Sequence, residues 1–300
     1  MQPSPVKSIW IHAVHEVRDA FRSRRAVFLL LIYLAGSVAA SSFFINGMKK
    51  VEDRLLETLK LAESDSVGTV TQTLWETGFI RHMLNDTVKN EALTDHIVSQ
   101  SPISIFYWWL SCTFAPLVMM LVSTARIAEE RAIGSARFVL YRTSLSSWVA
   151  GKFVAQAALL LPSLLLSALG AWLVGYFRLS FFNPVATAMQ LLIISLKVVV
   201  YTFSYVGLAI GVSQLTRSAN LATVLGFTGV IALSITAAVS NHFRGTGALL
   251  NIPYWLTPQA YRLDLLWPEP AHVLPAAIML VLLGVLYLLP GYYILNRRDL

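Results

Sequence analysis

Residues 153–176 read FVAQAALLLPSLLLSALGAWLVGY and contain no charged side chain. About 20 mostly apolar residues are enough for a helix to cross the hydrocarbon core of a bilayer. A helix on the surface of a soluble protein would instead carry polar residues along one face. This stretch therefore predicts a membrane-spanning helix.

Other stretches of the chain have the same character. Together they predict six spans, at 26–46, 103–125, 153–176, 186–213, 220–240 and 273–295. The composition agrees, because 56% of the residues are apolar and only 13% are charged, about half the charged fraction of a typical soluble domain. We predict an all-α polytopic membrane protein in which residues 1–300 form a single transmembrane domain.

Lysine and arginine are distributed unevenly across the predicted membrane. With the N-terminus inside, the inside segments carry thirteen basic and five acidic residues, and the outside segments nine and eleven. Because basic loops tend to stay on the cytoplasmic side, both termini are predicted to be cytoplasmic. The expected location is the plasma membrane, taken as a bacterial inner membrane. Basic residues grouped beside apolar runs also argue against nucleic acid as a partner.

The segments outside the spans have their own patterns. Residues 6–25 predict an amphipathic helix that lies in the inner interface and contacts membrane lipid, with Trp10 and Phe21 on its apolar side. Residues 47–101 carry two apolar helical stripes and predict a small helical cap outside the membrane. Residues 241–272 contain four prolines and several aromatic residues, a pattern that favours short interfacial helices.

Enzyme signatures are missing from the sequence. It contains no H-E-x-x-H, no G-x-S-x-G and no G-x-x-x-x-G-K-[ST]. We therefore expect no catalytic residue and no cofactor on this chain, so that any ATP and magnesium would bind to a partner. His12, His15 and Glu16 have helical spacing, but a third strong ligand is not evident, and no metal site is predicted.

Lys197 lies near the middle of the fourth predicted span. A lysine at that depth costs several kcal/mol unless it faces protein or water. The six spans contain no acidic residue to pair with it. A hydrated cavity on a translocation pathway is the simplest host, and structural pairing with a neighbouring helix, or snorkelling, is the alternative.

Small residues recur at four-residue steps in two spans. Gly207 and Gly211 form a GxxxG pattern, and Gly36 and Ala40 form a similar pair. Such surfaces let helices approach closely. The pattern predicts close packing, either within one subunit or between two.

Residues 125–152 read ARIAEERAIGSARFVLYRTSLSSWVAGK and connect the second and third spans on the inside. The helix leaving the second span is predicted to break near Gly134. A short helix containing Phe138 should follow, with Ser144 or Ser146 capping the return. An exposed apolar helix between charged flanks predicts a surface that docks on another protein.

The order of these features resembles the membrane subunits of ABC-2 type exporters. It comprises Glu129-Glu130-Arg131, Gly134-Ser135, the apolar helix at Phe138, and Gly151-Lys152 at the next span. The N-terminal amphipathic helix, the six spans, the proline-rich external segment and the closing residues NRRDL also match. The sequence departs from the pattern at Thr143-Ser144, where many relatives carry a proline.

The resemblance implies a permease subunit that works with a separate nucleotide-binding ATPase. The residues implied to couple to that ATPase are Glu129, Glu130, Arg131, Gly134, Phe138 and Lys152. It also implies a second permease copy, in a homodimer or with a homologue, with spans one and five at the interface. Residues 125–152 would be the coupling segment, and residues 241–272 would shape an external gate.

Two other functions stay open at this stage. One is an ion-coupled secondary transporter that uses Lys197, although the sequence shows no convincing inverted repeat. The other is a scaffold that transmits force to an extracytoplasmic accessory protein through residues 47–101. Neither alternative changes the predicted fold.

Overall fold

The structure is a computed structural model that describes residues 4–22, 24–59, 81, 84–85, 88, 90–179, 182–242 and 248–297. This part of the chain is helical, without a β-strand. Its α-helices are α1 (Pro5–Arg22), α2 (Arg25–Leu59), α3 (Glu91–Val98), α4 (Pro102–Ser123), α5 (Ala125–Ile133), α6 (Ser135–Leu140), α7 (Leu145–Arg178), α8 (Pro184–Ser213), α9 (Ala219–His242), α10 (Ala248–Trp255) and α11 (Pro270–Arg297). The 3₁₀ turns Pro258–Tyr261 and Asp264–Leu266 lie between α10 and α11.

Six helical segments are long and apolar enough to cross a membrane. They are α2, α4 with its continuation α5, α7, α8, α9 and α11. The predicted fold class, all-α with six spans, is thereby confirmed. Residues 60–80, 82–83, 86–87 and 89 of the predicted external cap lie outside the described residues, as do 243–247 of the predicted external gate segment.

Two helices are longer than the spans predicted for them. Helix α2 continues to Leu59, so the beginning of the predicted cap, residues 47–59, belongs to the same helix as span one. The sequence 51–59 has no glycine or proline, which explains why the helix continues beyond the predicted span. Helix α7 begins at Leu145, eight residues before 153.

Side-chain caps set several of the helix ends. Ser144 precedes α7, and its side chain accepts a hydrogen bond from the Ser147 amide at 3.2 Å. Asn183 does the same for Ala186 at 3.1 Å, and Pro184 occupies the first position of α8. Such caps satisfy amides that have no partner inside the helix, and they fix where each span begins.

Helix α8 is the centre of the bundle. It packs against α4, α7, α9 and α11, while α2 packs mainly against α7. Its buried residues include Val198, Tyr205 and Ile210. Polar side chains join the spans to one another, because Tyr107 donates to the Leu164 carbonyl at 2.8 Å and Ser37 to the Ser167 carbonyl at 2.6 Å. Such bonds help to hold helices together in lipid.

The GxxxG pattern of α8 is used inside the subunit. A Cβ atom on Gly207 would lie 2.0 Å from the Gly284 carbonyl oxygen, and one on Gly211 would lie 2.4 Å from the Tyr287 oxygen. Both obstacles are backbone atoms of α11. The two helices therefore touch along their glycines, and this surface is covered within one chain.

Candidate functional site

The segment between the second and third spans forms two short helices. Helix α5 ends at Gly134, which has a left-handed φ of 81°, a conformation that L-residues with a side chain rarely adopt. Helix α6 follows at once, and the chain enters α7 after the cap at Ser144. Both the break at Gly134 and a serine cap were expected from the sequence, and the structure has them.

Lys152 joins three elements at the end of the bundle that carries α1 and the segment between the second and third spans. Its ammonium nitrogen lies 2.8 Å from a Glu16 carboxylate oxygen on α1 and 2.5 Å from a Glu130 oxygen on α5. The Lys152 side chain is only 3% exposed. A buried cation with two carboxylate partners is fixed in position, because losing either partner would leave charge poorly compensated. Helices α1, α5 and α7 are thus held together by one side chain.

A second set of contacts ties α5 to the connection between α8 and α9. The guanidinium of Arg131 donates to the carbonyl of Gln214 at 2.6 Å and to that of Thr216 at 3.3 Å. The Ser213 hydroxyl accepts from the amides of Ile127 and Ala128, at 2.9 and 3.1 Å. Helix α5 is therefore anchored on two sides.

The outer surface of this anchored segment is apolar. Phe138 on α6 is 81% exposed, and Ile133 and Tyr141 beside it are 82% and 92% exposed. Phe138 and Tyr141 also line a cavity of about 630 Å³ between α1 and α6. Its lining residues are His12, Arg137, Phe138, Val139, Tyr141, Arg142 and Thr143, which include two arginines, one histidine and no acid.

His12 lies where the cavity meets the Lys152 cluster. Burial, followed by the charge of Lys152, lowers the pKa of His12 below its usual value. The Nε2 atom of His12 is buried and has no hydrogen-bond partner among the described residues. The imidazole is therefore favoured in its neutral form.

Helix α1 crosses α7 at a glycine. A Cβ atom on Gly151 would lie 2.5 Å from the Cβ of His12, so the close approach depends on the absence of a side chain. Ala13 and Ala20 are buried on the side of α1 that faces the bundle, and Ala20 clusters with Leu159 of α7. Trp10 and Phe21 are 65% and 45% exposed and point away from the bundle, as an interfacial helix requires.

Lys197 has a partner at the other end of the molecule. Its ammonium nitrogen donates to the Trp267 carbonyl oxygen at 3.0 Å, and the residue is half-buried. Gln190 lies two helical turns before Lys197 on α8. Its side-chain oxygen accepts a hydrogen bond from the Ser101 amide, next to the start of α4, at 3.1 Å. Lys197 also lies close enough to His96 on α3 for its charge to lower the pKa of that histidine, after burial. The sequence suggested a hydrated cavity near mid-membrane, and the structure gives Lys197 a carbonyl partner in the segment between α10 and α11.

The comparison with known families decides the identity of this helical arrangement. A family model described as ABC-2 family transporter protein matches residues 10–300. The chain belongs to the ABC-2 transporter family. Comparison with curated proteins gives no match.

In this ABC-2 permease, the six residues expected to couple to an ATPase have different surroundings. Only Phe138 is highly exposed; Glu129 is partly buried, Gly134 forms the turn, and Glu130, Arg131 and Lys152 make contacts inside the subunit. The sequence analysis did not identify the polar residues that complete these contacts, Glu16, Ser213 and Gln214. Of these, only Glu16 was named in the sequence analysis, where it was considered as a metal ligand on α1.

The described residues contain no group of three His, Cys, Asp or Glu side chains that could hold a metal ion. Of the three residues considered for a metal on α1, Glu16 is bonded to Lys152 and His12 borders the basic cavity. Cys112 is a buried free thiol.

Proposed function

We propose that this ABC-2 permease is the membrane-spanning subunit of an ATP-driven exporter whose ATPase is a separate chain that docks on α6. The observation that carries the proposal is the exposure of Phe138 and Tyr141 on a segment fixed by buried polar contacts. Exposed aromatic residues grouped on a rigid surface are typical of protein interfaces.

The basic cavity supports a particular chemistry for the docking partner. Arg137, Arg142 and His12 surround an opening whose lining contains no acid. The matching surface of the ATPase would therefore be an apolar groove with acidic residues at its rim. ATP and magnesium would bind to the ATPase.

The ion pairs around Lys152 supply a route for coupling. Closure of the ATPase subunits on ATP would push α6, and Gly134 joins α6 directly to α5. Because Glu130 of α5 and Glu16 of α1 share Lys152 of α7, these helices would move together. The movement of α6 would therefore be transmitted through these ion pairs to α7, the third span.

A second permease copy would complete the pathway. Helix α4 contacts both α2 and α9, so these three spans lie next to one another. An apolar cleft of about 540 Å³ opens between α2 and α4, lined by Tyr33, Phe43 and Phe114 among others. A homodimer that pairs α2 and α9 with those of the second copy would cover this side of the bundle, with both termini in the cytoplasm and the complex in the plasma membrane.

The docking proposal predicts an effect of Phe138→Asp. A carboxylate placed in a dry contact should weaken assembly by at least about tenfold, because a buried, unpaired charge is costly. The tagged chain is purified from its native host, and ATP turnover and the amount of bound ATPase are measured. Phe177→Asp is the control, since Phe177 is 77% exposed at the opposite end of α7. Equal ATPase recovery with both variants would refute docking on α6.

The orientation predicts which cysteines react from outside. Asp95→Cys on α3 should react with a membrane-impermeant maleimide in intact cells, and Ser135→Cys on α6 only after permeabilisation. The native Cys112 is buried and supplies the background. Reaction of the Ser135→Cys variant in intact cells would reverse the proposed orientation.

A further inference from the structure

The external segment between α10 and α11 is packed into the bundle although its backbone is irregular. Thr257 and Leu265 are fully buried, and Tyr261 is 6% exposed. The segment contains two 3₁₀ turns rather than a regular helix. Irregular backbone among membrane spans leaves carbonyl groups without helical partners, and each needs another donor.

Side chains supply these donors. The Tyr261 hydroxyl donates to the Trp255 carbonyl at 2.9 Å, from within the segment. The Tyr287 hydroxyl of α11 donates to the Leu256 carbonyl, and Lys197 of α8 donates to the Trp267 carbonyl at 3.0 Å. The segment is therefore bonded to two different spans, one near each of its ends.

The two spans that supply these bonds are themselves locked together. Gly207 of α8 touches the backbone of Gly284 of α11, and Gly291 of α11 touches the backbone of Gly211. Movement of α8 relative to α11 would break this contact. A segment bonded to both helices must follow their common motion.

We propose that Lys197 is a positioning residue that clasps residues 254–267 onto the α8–α11 pair and so holds the external gate segment as part of that pair. The inference rests on the proposed function as a permease, in which the family resemblance implies that residues 241–272 shape an external gate. In this proposal, Lys197 attaches the gate segment to the bundle and does not contact substrate. The charged donor suits this place, because hydrogen bonds from a charged group are stronger than those between neutral groups.

Cysteine accessibility tests the clasp directly. Ala260 is 8% exposed in the middle of the segment, so Ala260→Cys should react slowly with a hydrophilic maleimide. Adding Lys197→Met should raise the reaction rate about tenfold, the change in local opening expected when a charge-assisted hydrogen bond is lost. Adding Lys197→Arg, which keeps a charged donor, should restore slow reaction. Permeabilised membranes without ATPase are used, so the result depends on neither orientation nor docking.

Matched positions separate local release from general unfolding. Glu269→Cys is exposed and should react equally fast in all backgrounds, and Ala128→Cys, buried at the cytoplasmic end, should stay slow in all. If Lys197→Met prevents insertion, Tyr287→Phe removes the other bond and should raise the Ala260→Cys rate by a smaller factor. An unchanged rate at Ala260→Cys in every inserted variant would overturn the clasp, whatever the outcome of the ATPase experiment.

Discussion

Lys152 and Lys197 are both lysines on apolar helices, and the bundle accommodates them in opposite ways. Lys152, at the end of the bundle that carries α1 and α6, is almost fully buried between the carboxylates of Glu16 and Glu130. Lys197, towards the other end, is half-buried and donates to a backbone carbonyl. The first arrangement joins three helices through charge, and the second joins a helix to an irregular segment through its backbone.

The difference follows from what surrounds each lysine. Acids are available on α1 and α5 near Lys152, whereas the six spans predicted from the sequence contain none. Near Lys197, the acceptor is the carbonyl of Trp267, the residue that follows the second 3₁₀ turn. The two ends also differ in their apolar side chains, because Phe138 is 81% exposed and Leu265 is fully buried. An exposed apolar side chain on a rigid segment with charged neighbours is typical of a surface that binds another protein. A buried apolar side chain instead packs within the subunit.

The largest effect should come from Lys152→Met. The change leaves Glu16 and Glu130 facing each other without their cation, and removing one member of a buried ion pair typically costs about 3–5 kcal/mol. The free energy of unfolding is measured by denaturant titration in detergent. Arg81→Met is the control, because the ion pair of Arg81 with Asp95 is 2.7 Å long but more than half exposed, and such pairs contribute less than about 1 kcal/mol. Similar losses for the two variants would remove Lys152 from its role in holding α1, α5 and α7.

A smaller effect is expected where glycines bring α8 and α11 into contact. Gly207→Ala places a methyl group against the Gly284 backbone, and such overpacking costs about 1–3 kcal/mol. Gly36→Ala is matched to it, since Gly36 also belongs to a small-residue pair but has no atom within 4 Å of an added Cβ. There the helix propensity of alanine should stabilise α2 by up to about 1 kcal/mol. Thermal unfolding of the two variants checks the opposite signs, and a loss at both positions would contradict the packing of α8 on α11.

These examples show how far the sequence alone could lead. The six spans, the break at Gly134 and the serine cap of α7 follow from local signals, because apolar length, glycine and caps act within a few residues. The contacts of Lys152 with Glu16, of Arg131 with Gln214 and of Lys197 with Trp267 join residues 70 to 136 positions apart. No local pattern specifies such pairs, since they depend on how the spans pack. For the same reason, Gly207 and Gly36 look alike in the sequence and differ in the structure.

The smallest expected effect is on the pH dependence of stability. It involves one histidine at each end of the bundle, His12 and His96. His12 has its pKa lowered by burial and then by Lys152, and His96 by burial and then by Lys197, both from the usual 6.5. Between the lowered value and 6.5, the unfolded chain binds more protons than the folded chain, so stability rises with pH across that interval. Stability should therefore fall as the pH drops below about 6.5, and His12→Gln and His96→Gln should each remove part of that fall. The free energy of unfolding is measured at pH 5.5 and 7.5 for the parent and both variants. Between pH 7.5 and 8.5 the histidines should no longer change the free energy of unfolding. If both variants keep the full dependence of the parent, burial and the neighbouring lysine do not lower the pKa of either histidine as the structure indicates.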